Sequence, residues 1–288
     1  MTRIRKGVIT AAGRGTRLMP ATRTVQKELF PLVDVDGLAK PIIQILVEEL
    51  LASGVDEICI VANPINLEPM ERHFAGETDG ARVTFVVQER QEGYGHAVYQ
   101  TKNWVGDEPF VLTLGDHIYF SEIAARCARQ VMEAFEGNDC SVSSVFPVAE
   151  AEVTRYGIIA GIPLNGSLPA VYEIRAMAEK PSIEFARENL TTPGLPDGKF
   201  LTFFGIHTFT ATIFDCLEHL INNDLRQNGE IQLTTAQEIL LAREKYLASE
   251  VQGVRYDMGI PAGLIETQIA LALRSPHAQI AREMLSLR

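Results

Sequence analysis

Short apolar runs alternate with amphipathic stretches through the first half of the chain. Gly7–Ala12 is a compact run of small and β-branched residues and predicts a buried strand. Pro41–Ser53 places Ile42, Ile45, Leu46 and Leu50 at helical spacing and stops at Gly54, a favourable C-terminal residue. Apolar runs at Glu57–Ala62, Arg82–Val87, Phe110–Leu114 and Cys140–Val148 predict further strands. Between them the spacing predicts helices over Asn66–Phe74, Tyr94–Asn103 and from Ser121 to about Phe135. Strands that alternate with helices call for right-handed crossovers and a largely parallel sheet covered on both faces.

The second half is broken more often by Pro and Gly. Strands are expected at Gly157–Ala160, Ala170–Ala178 and Lys199–Thr208, and helices at Thr210–Asn222 and Leu233–Tyr246. A last strand, Glu250–Tyr256, precedes closing helices at Pro261–Leu273 and Ala278–Leu287. No internal repeat is present, and in particular no hexapeptide repeat of the β-helix kind. The expected fold is an α/β, Rossmann-like, mainly parallel mixed sheet flanked by helices. It forms one continuous unit over residues 1–288, with halves at about 1–150 and 151–288 and a smaller lobe in the second.

With 288 residues, 46% of them hydrophobic and 22% charged, the chain can bury a sizeable core. Its formal net charge of −11 argues against nucleic-acid binding, which needs a basic field. A small anionic substrate remains compatible, since a few Lys and Arg suffice for a local positive cleft. The four cysteines, Cys59, Cys127, Cys140 and Cys216, show no zinc-ligand spacing and read as buried thiols. The charged opening segment Met1–Val8 leads into a short strand, with neither a signal-peptide core nor a membrane-length apolar run, so a cytoplasmic location is expected.

The sharpest chemical signal directly follows the first strand: Ala11-Ala12-Gly13-Arg14-Gly15-Thr16-Arg17. Loops beyond the carboxyl ends of parallel strands are where ligands bind in such sheets. Gly13 and Gly15 permit close backbone approach, amide groups there can cradle phosphates, and Arg17 adds a planar cationic donor. A dinucleotide fingerprint would need Gly where Leu18 stands, and no Gly-Lys-Ser/Thr follows for a Walker A loop. Lys27-Glu28 lies between Pro20 and Pro31, so Arg17 and Lys27 can serve one phosphate chain.

Further along, Gln88 ends a strand and Gly93-Tyr94-Gly95-His96-Ala97 opens a helix. A glutamine amide offers the donor and acceptor an imide edge needs. Asp116, in Leu114-Gly115-Asp116, and Asp257, in Tyr256-Asp257-Met258-Gly259, each follow a strand and together suit one Mg²⁺. Glu179-Lys180-Pro181, Tyr156-Gly157, mid-strand Gly205 and Gly229-Glu230-Ile231-Gln232-Leu233-Thr234 complete the set. Singly, each has an ordinary alternative: a tight turn, a solvated cation, a helix-entry turn or an N-cap aspartate.

Taken in order, these motifs resemble the sugar-nucleotidyltransferases, and within them the bacterial UTP–glucose-1-phosphate uridylyltransferases, over roughly residues 5–275. The resemblance implies an enzyme acting on a nucleoside triphosphate and a sugar 1-phosphate, with Mg²⁺ as cofactor and a homodimer or homotetramer as its assembly. It implies that Ala11, Ala12, Gly13, Gly15 and Thr16 wrap the triphosphate, and that Arg17 and Lys27 stabilise the leaving pyrophosphate. Gln88 and Gly95 would contact the base, and Asp116 and Asp257 would hold the metal. Lys180 would bind the 1-phosphate. Glu179, Gly157, Gly205 and Glu230 would face the sugar. The first half is then nucleotide-binding and the second sugar-binding. His96 is expected to take no acid–base part, because transfer at phosphorus needs no proton shuttle.

Departures from the family pattern are Gln26 where Pro is usual, extra residues at Asp36–Ala39, Gly115 where uridylyltransferases often carry Pro, and Thr235 where Asp is usual. They leave two alternatives in play: dTTP as the nucleotide, since thymine shares the imide edge, and a non-catalytic sugar-nucleotide-binding regulator.

Overall fold

Val8 and Ile9 are adjacent in the chain but fully buried in different cores, as the alternation of a strand requires when both faces of its sheet are covered. They belong to β1 (Lys6–Thr10), near the middle of a nine-stranded sheet. The computed structural model describes residues 3–75, 82–164 and 170–287; the first two residues of the charged opening segment lie outside these. Among the described residues the later strands are β2 (Pro31–Val33), β3 (Ala39–Pro41), β4 (Glu57–Ala62), β5 (Arg82–Val87), β6 (Phe110–Leu114), β7 (His117–Ser121), β8 (Val142–Ala149), β9 (Gly157–Pro163), β10 (Val171–Glu179), β11 (Lys199–Phe209), β12 (Leu247–Glu250) and β13 (Gly253–Asp257).

The sheet order is β5-β4-β1-β6-β11-β8-β12-β10-β9. From β5 to β6 every pairing is parallel. β11 then runs antiparallel to both β6 and β8, β12 runs parallel to β8, and β10 runs antiparallel to β12 and β9. The sheet is therefore mixed, with strands from both halves of the chain interleaved. One core packs helices Ile42–Ala52 and Cys127–Asn138 on one face; the other packs Tyr94–Tyr99, Thr212–Asn222 and Leu233–Leu241. A smaller cluster around Val153, Ile158, Leu190 and Phe200 fills the outlying lobe. No helix among the described residues is long and apolar enough to cross a membrane.

Several elements differ from expectation. The helix expected from Ser121 begins at Cys127, because His117–Ser121 is a strand that pairs antiparallel with β13. Tyr94–Asn103 breaks into Tyr94–Tyr99 and Lys102–Val105. The helix expected to reach Tyr246 stops at Leu241, and Leu247–Glu250 enters the sheet between β8 and β10, where Leu247, Ala248 and Ser249 are buried. The expected last strand thus divides into β12 and β13. Two short segments around the extra residues, β2 and β3, pair as a small hairpin.

Parallel strands present their carboxyl ends on one side. The segments after β1, β5 and β6 therefore open onto a common edge, which carries the glycine-rich loop, Gln88 and Asp116.

Candidate active site

A cavity of about 550 Å³ lies over that edge. It is lined by Ala12, Gly13, Thr16, Lys27, Gln88, Asp116 and Glu230 among the expected residues.

Neighbouring side chains hold the glycine-rich loop in shape. Asn66 Nδ2 donates to the Ala11 carbonyl at 2.7 Å, and Gln91 Nε2 donates to the Ala12 carbonyl at 2.8 Å. Ala11 N donates to Val61 O at 2.8 Å, so both backbone groups of Ala11 are used within the protein, and this residue supports the loop without lining the cavity. Gly15 has φ +61°, and a Cβ there would come within 2.8 Å of Thr22 Cγ2. Thr22 in turn donates to Gly15 O at 2.8 Å, which folds the loop back on itself. Gly15 is thus a turn residue at the cavity's margin.

Below the loop sits a charge cluster. Lys27 Nζ lies 3.5 Å from where a Gly13 Cβ would be, and 2.6 Å from Asp116 Oδ2. Burial alone would raise the Asp116 carboxyl, but the Lys27 ammonium and the His117 hydrogen bond outweigh it and hold Asp116 well below the usual carboxylate range. Burial opposes the Lys27 charge, yet Asp116 and Glu28 overcome this and raise its pKa. Glu28 is pushed up by burial to about 8, against the pull of Lys27.

Asp257 reaches the same place through the β7–β13 pairing, which sets it opposite His117. Met258 N donates to Asp116 O at 2.8 Å, and Gly259 N donates to Asp257 Oδ1 at 2.8 Å. A Cβ on Gly259 would stand 3.0 Å from both Asp116 Oδ2 and Asp257 Oδ1, and 2.4 Å from Arg17 Nη2. Arg17 and Asp257 are 4.0 Å apart at their nearest charged atoms. Ligand atoms of Asp116, His117 and Asp257 all lie within 4.8 Å of one another. Two convergent carboxylates, one of them firmly ionised, fit a hard divalent cation that takes its remaining oxygens from phosphates and water.

Of the residues expected to face the sugar 1-phosphate, Glu179, Gly157, Lys180 and Gly205 lie outside the cavity lining. Glu179 pairs with Gly157 across the β10–β9 ladder, and a Cβ on Gly157 would lie 3.0 Å from Glu179 Oε2. Thr234 donates to the same oxygen at 2.8 Å. Lys180 adopts φ +47°, donates its N–H to Tyr156 O, and carries an exposed ammonium 3.6 Å from Glu179 Oε1. Gly205 has φ +101°, with its Cβ position 3.0 Å from Leu114, which does line the cavity.

Two further residues are defined by their packing. Glu230, expected at the sugar end, lines the cavity, and its Cβ lies 2.8 Å from the Cβ position of Gly93. Gly95, expected against the base, is buried away from the lining. Its N–H donates to Ile231 O at 2.9 Å, and a Cβ would strike that carbonyl. Its small size lets the 231–232 segment pack on the helix.

Sequence reasoning missed Asn63, Asn66 and Gln91, which clamp the loop, and Tyr94, which lines the cavity. It also missed Arg255. This half-buried guanidinium lies over the rings of Tyr156 and Phe146 and donates to Phe203 O at 2.9 Å, so it ties the segment before Gly157 to the strand that carries Gly205. A signal existed: Arg255 and Asp257 are two apart on one strand and so share a face.

The nucleotidyl transferase family matches residues 6–272. A UTP–glucose-1-phosphate uridylyltransferase of Staphylococcus epidermidis is 34% identical, over 96% of this chain and 95% of its own. One from Streptococcus pneumoniae is also 34% identical, over 96% and 93%. A UDP-glucose pyrophosphorylase solved with UDP-glucose superposes with a TM-score of 0.75 at 30% identity, covering 93% of this chain and 98% of that one. A sheet with this loop over its carboxyl edge, and a match along nearly the whole length, lead to one conclusion: the chain belongs to the nucleotidyl transferase family.

Proposed function

We propose that the chain catalyses uridylyl transfer from UTP to glucose 1-phosphate, giving UDP-glucose and pyrophosphate. The observation that carries this reading is the convergence of Lys27, Asp116, Asp257 and Arg17 beside the glycine-rich loop, at one end of a cavity that has Gln88 on its wall.

A phosphate oxygen of the sugar 1-phosphate attacks the α-phosphorus of UTP. A new P–O bond forms as the bond to the bridging oxygen breaks, and that electron pair leaves with pyrophosphate. Lys180 presents its exposed ammonium to the sugar phosphate, and Glu179 with the bare backbone of Gly157 accommodates the hexose. Gly13 and Thr16 bring backbone donors to the triphosphate. Lys27 and Arg17 offset charge on the departing group. Mg²⁺, held by Asp116 and Asp257, would supply Lewis-acid stabilisation of phosphate charge. Positioning and electrostatics account for the catalysis, with no covalent protein intermediate.

The enzyme works in the cytoplasm as a homodimer or homotetramer. An apolar face on the last two helices, with Ile265, Ile280 and Met284 all more than half exposed, supports self-association. Replacing Ile280 and Met284 together by Glu should give a monomer in sedimentation; an unchanged mass would remove this face from the interface.

A coupled pyrophosphate-release assay tests the function. Glucose 1-phosphate with UTP and Mg²⁺ should give release well above that with dTTP, CTP or ATP, and chelation of the metal should abolish it. A protein that binds UDP-glucose but releases no pyrophosphate with any nucleotide would be a regulator instead.

A further inference from the structure

Among the described residues two cations line the cavity, Arg14 and Lys27. Lys27 is spent on acids of the protein itself, Asp116 and Glu28. Arg14, exposed in the middle of the glycine-rich loop, has no carboxylate partner among the described residues. Its side-chain hydrogen bond runs from Nε to Gln91 Oε1. The direction of that bond is settled by chemistry. Gln91 Nε2 donates to the Ala12 carbonyl at 2.8 Å, and a carbonyl can only accept, so the Gln91 NH₂ faces Ala12 and its oxygen faces Arg14. One half-buried amide therefore clamps the loop and tethers the guanidinium beside it. A guanidinium carries five N–H groups; Nε uses one, and the four on Nη1 and Nη2 remain for a ligand. In a chain of net charge −11, an unpaired cation on a cavity wall is a charge kept for an anion from outside.

We infer that Arg14 is a further substrate-binding residue, whose guanidinium fork holds the outer phosphates of the nucleoside triphosphate, the pair that departs as pyrophosphate. The reacting α-phosphate belongs with Asp116 and Asp257, and the base with Gln88. The anionic groups left for a side chain on the loop are the outer two. A planar fork suits a pair of phosphate oxygens, which a single ammonium meets only as a point charge. UDP-glucose has no free terminal phosphate, so Arg14 favours UTP over the product and serves pyrophosphate in the reverse direction.

This inference rests on the uridylyltransferase reading and deepens it. The test is steady-state kinetics in both directions on the parent and on Arg14→Gln. The variant's KM should rise about tenfold for UTP and for pyrophosphate, the scale of one charge-assisted hydrogen bond. Its KM for glucose 1-phosphate and UDP-glucose should stay within about twofold. Added salt should raise the parent's KM for UTP more steeply than the variant's, because the variant has one screened ion contact fewer. Unchanged constants for UTP and pyrophosphate, or equal salt slopes, would make Arg14 a solvated loop residue and overturn the inference. Equal rises for UTP and UDP-glucose, with pyrophosphate unaffected, would put the guanidinium against the nucleoside and overturn it too. A parent that turns over no nucleotide would sink the uridylyltransferase reading by itself. Calorimetric titration of pyrophosphate into parent and variant then still reads Arg14: about tenfold weaker binding in the variant upholds its role, and equal affinities or no binding to either overturn it.

Discussion

Replacing Lys27 by Met should lower kcat for UDP-glucose formation by about 10²–10³-fold, the usual cost of removing one preorganised group that stabilises charge in the transition state. The ammonium lies directly under Gly13 and is nine-tenths buried, so its field reaches the phosphate site with little screening by water. The same change should lower stability, because Asp116 would keep a buried charge with only His117 beside it; losing one partner of a buried pair costs about 3–5 kcal/mol. These two effects can be separated. Adding Asp116→Asn to Lys27→Met should restore much of the melting temperature but none of the turnover. Recovery of both would show that turnover needs neither the Lys27 ammonium nor the Asp116 carboxylate, and would remove both from catalysis.

Asp257→Asn should be nearly as damaging, with a different signature. Asp257 is partly open and makes its contacts to Gly259 N and, more distantly, Arg17. An amide oxygen can keep the Gly259 hydrogen bond, so folding should change little. The loss falls on metal affinity, because a neutral amide is a weaker ligand for a hard cation than a carboxylate. Turnover at a fixed low Mg²⁺ concentration should fall by about 10²-fold, comparable with losing one charge-stabilising group, and a Mg²⁺ titration should move to higher concentration. A variant with the parent's Mg²⁺ dependence would detach Asp257 from the metal.

Much of the cavity lining is legible in the sequence, because each of its parts is written within a few consecutive residues. The glycine-rich loop is a contiguous run directly after a strand, and Gln88 and Asp116 follow strands whose apolar runs are plain. Less legible were the elements whose conformation depends on distant partners. His117–Ser121 is a strand because Gly253–Asp257 pairs with it, and Leu247–Glu250 because β8 and β10 receive it. Neither segment is long enough to declare itself by periodicity: local pattern starts a helix at Ser121, ends another at Tyr246, and marks no strand at His117–Phe120 or Leu247–Ser249. The clamps Asn63 and Asn66 were overlooked for a similar reason: their amides gain meaning only from the carbonyls of Ala11 and Ala12, far off in the chain.

The amino-acid order by itself determined the fold class, the glycine-rich loop after the first strand and the residue types able to perform the chemistry, since helix and strand periods and glycine conformations are local properties. Tertiary structure alone decided that Asp116 and Asp257 meet at Gly259, that Glu230 belongs to the cavity wall, and that the Gln88 amide turns its NH₂ group to the Gly93 carbonyl. Those outcomes depend on strand pairing and on competition among hydrogen-bond partners brought together only by folding, and spacing along a chain carries no record of either.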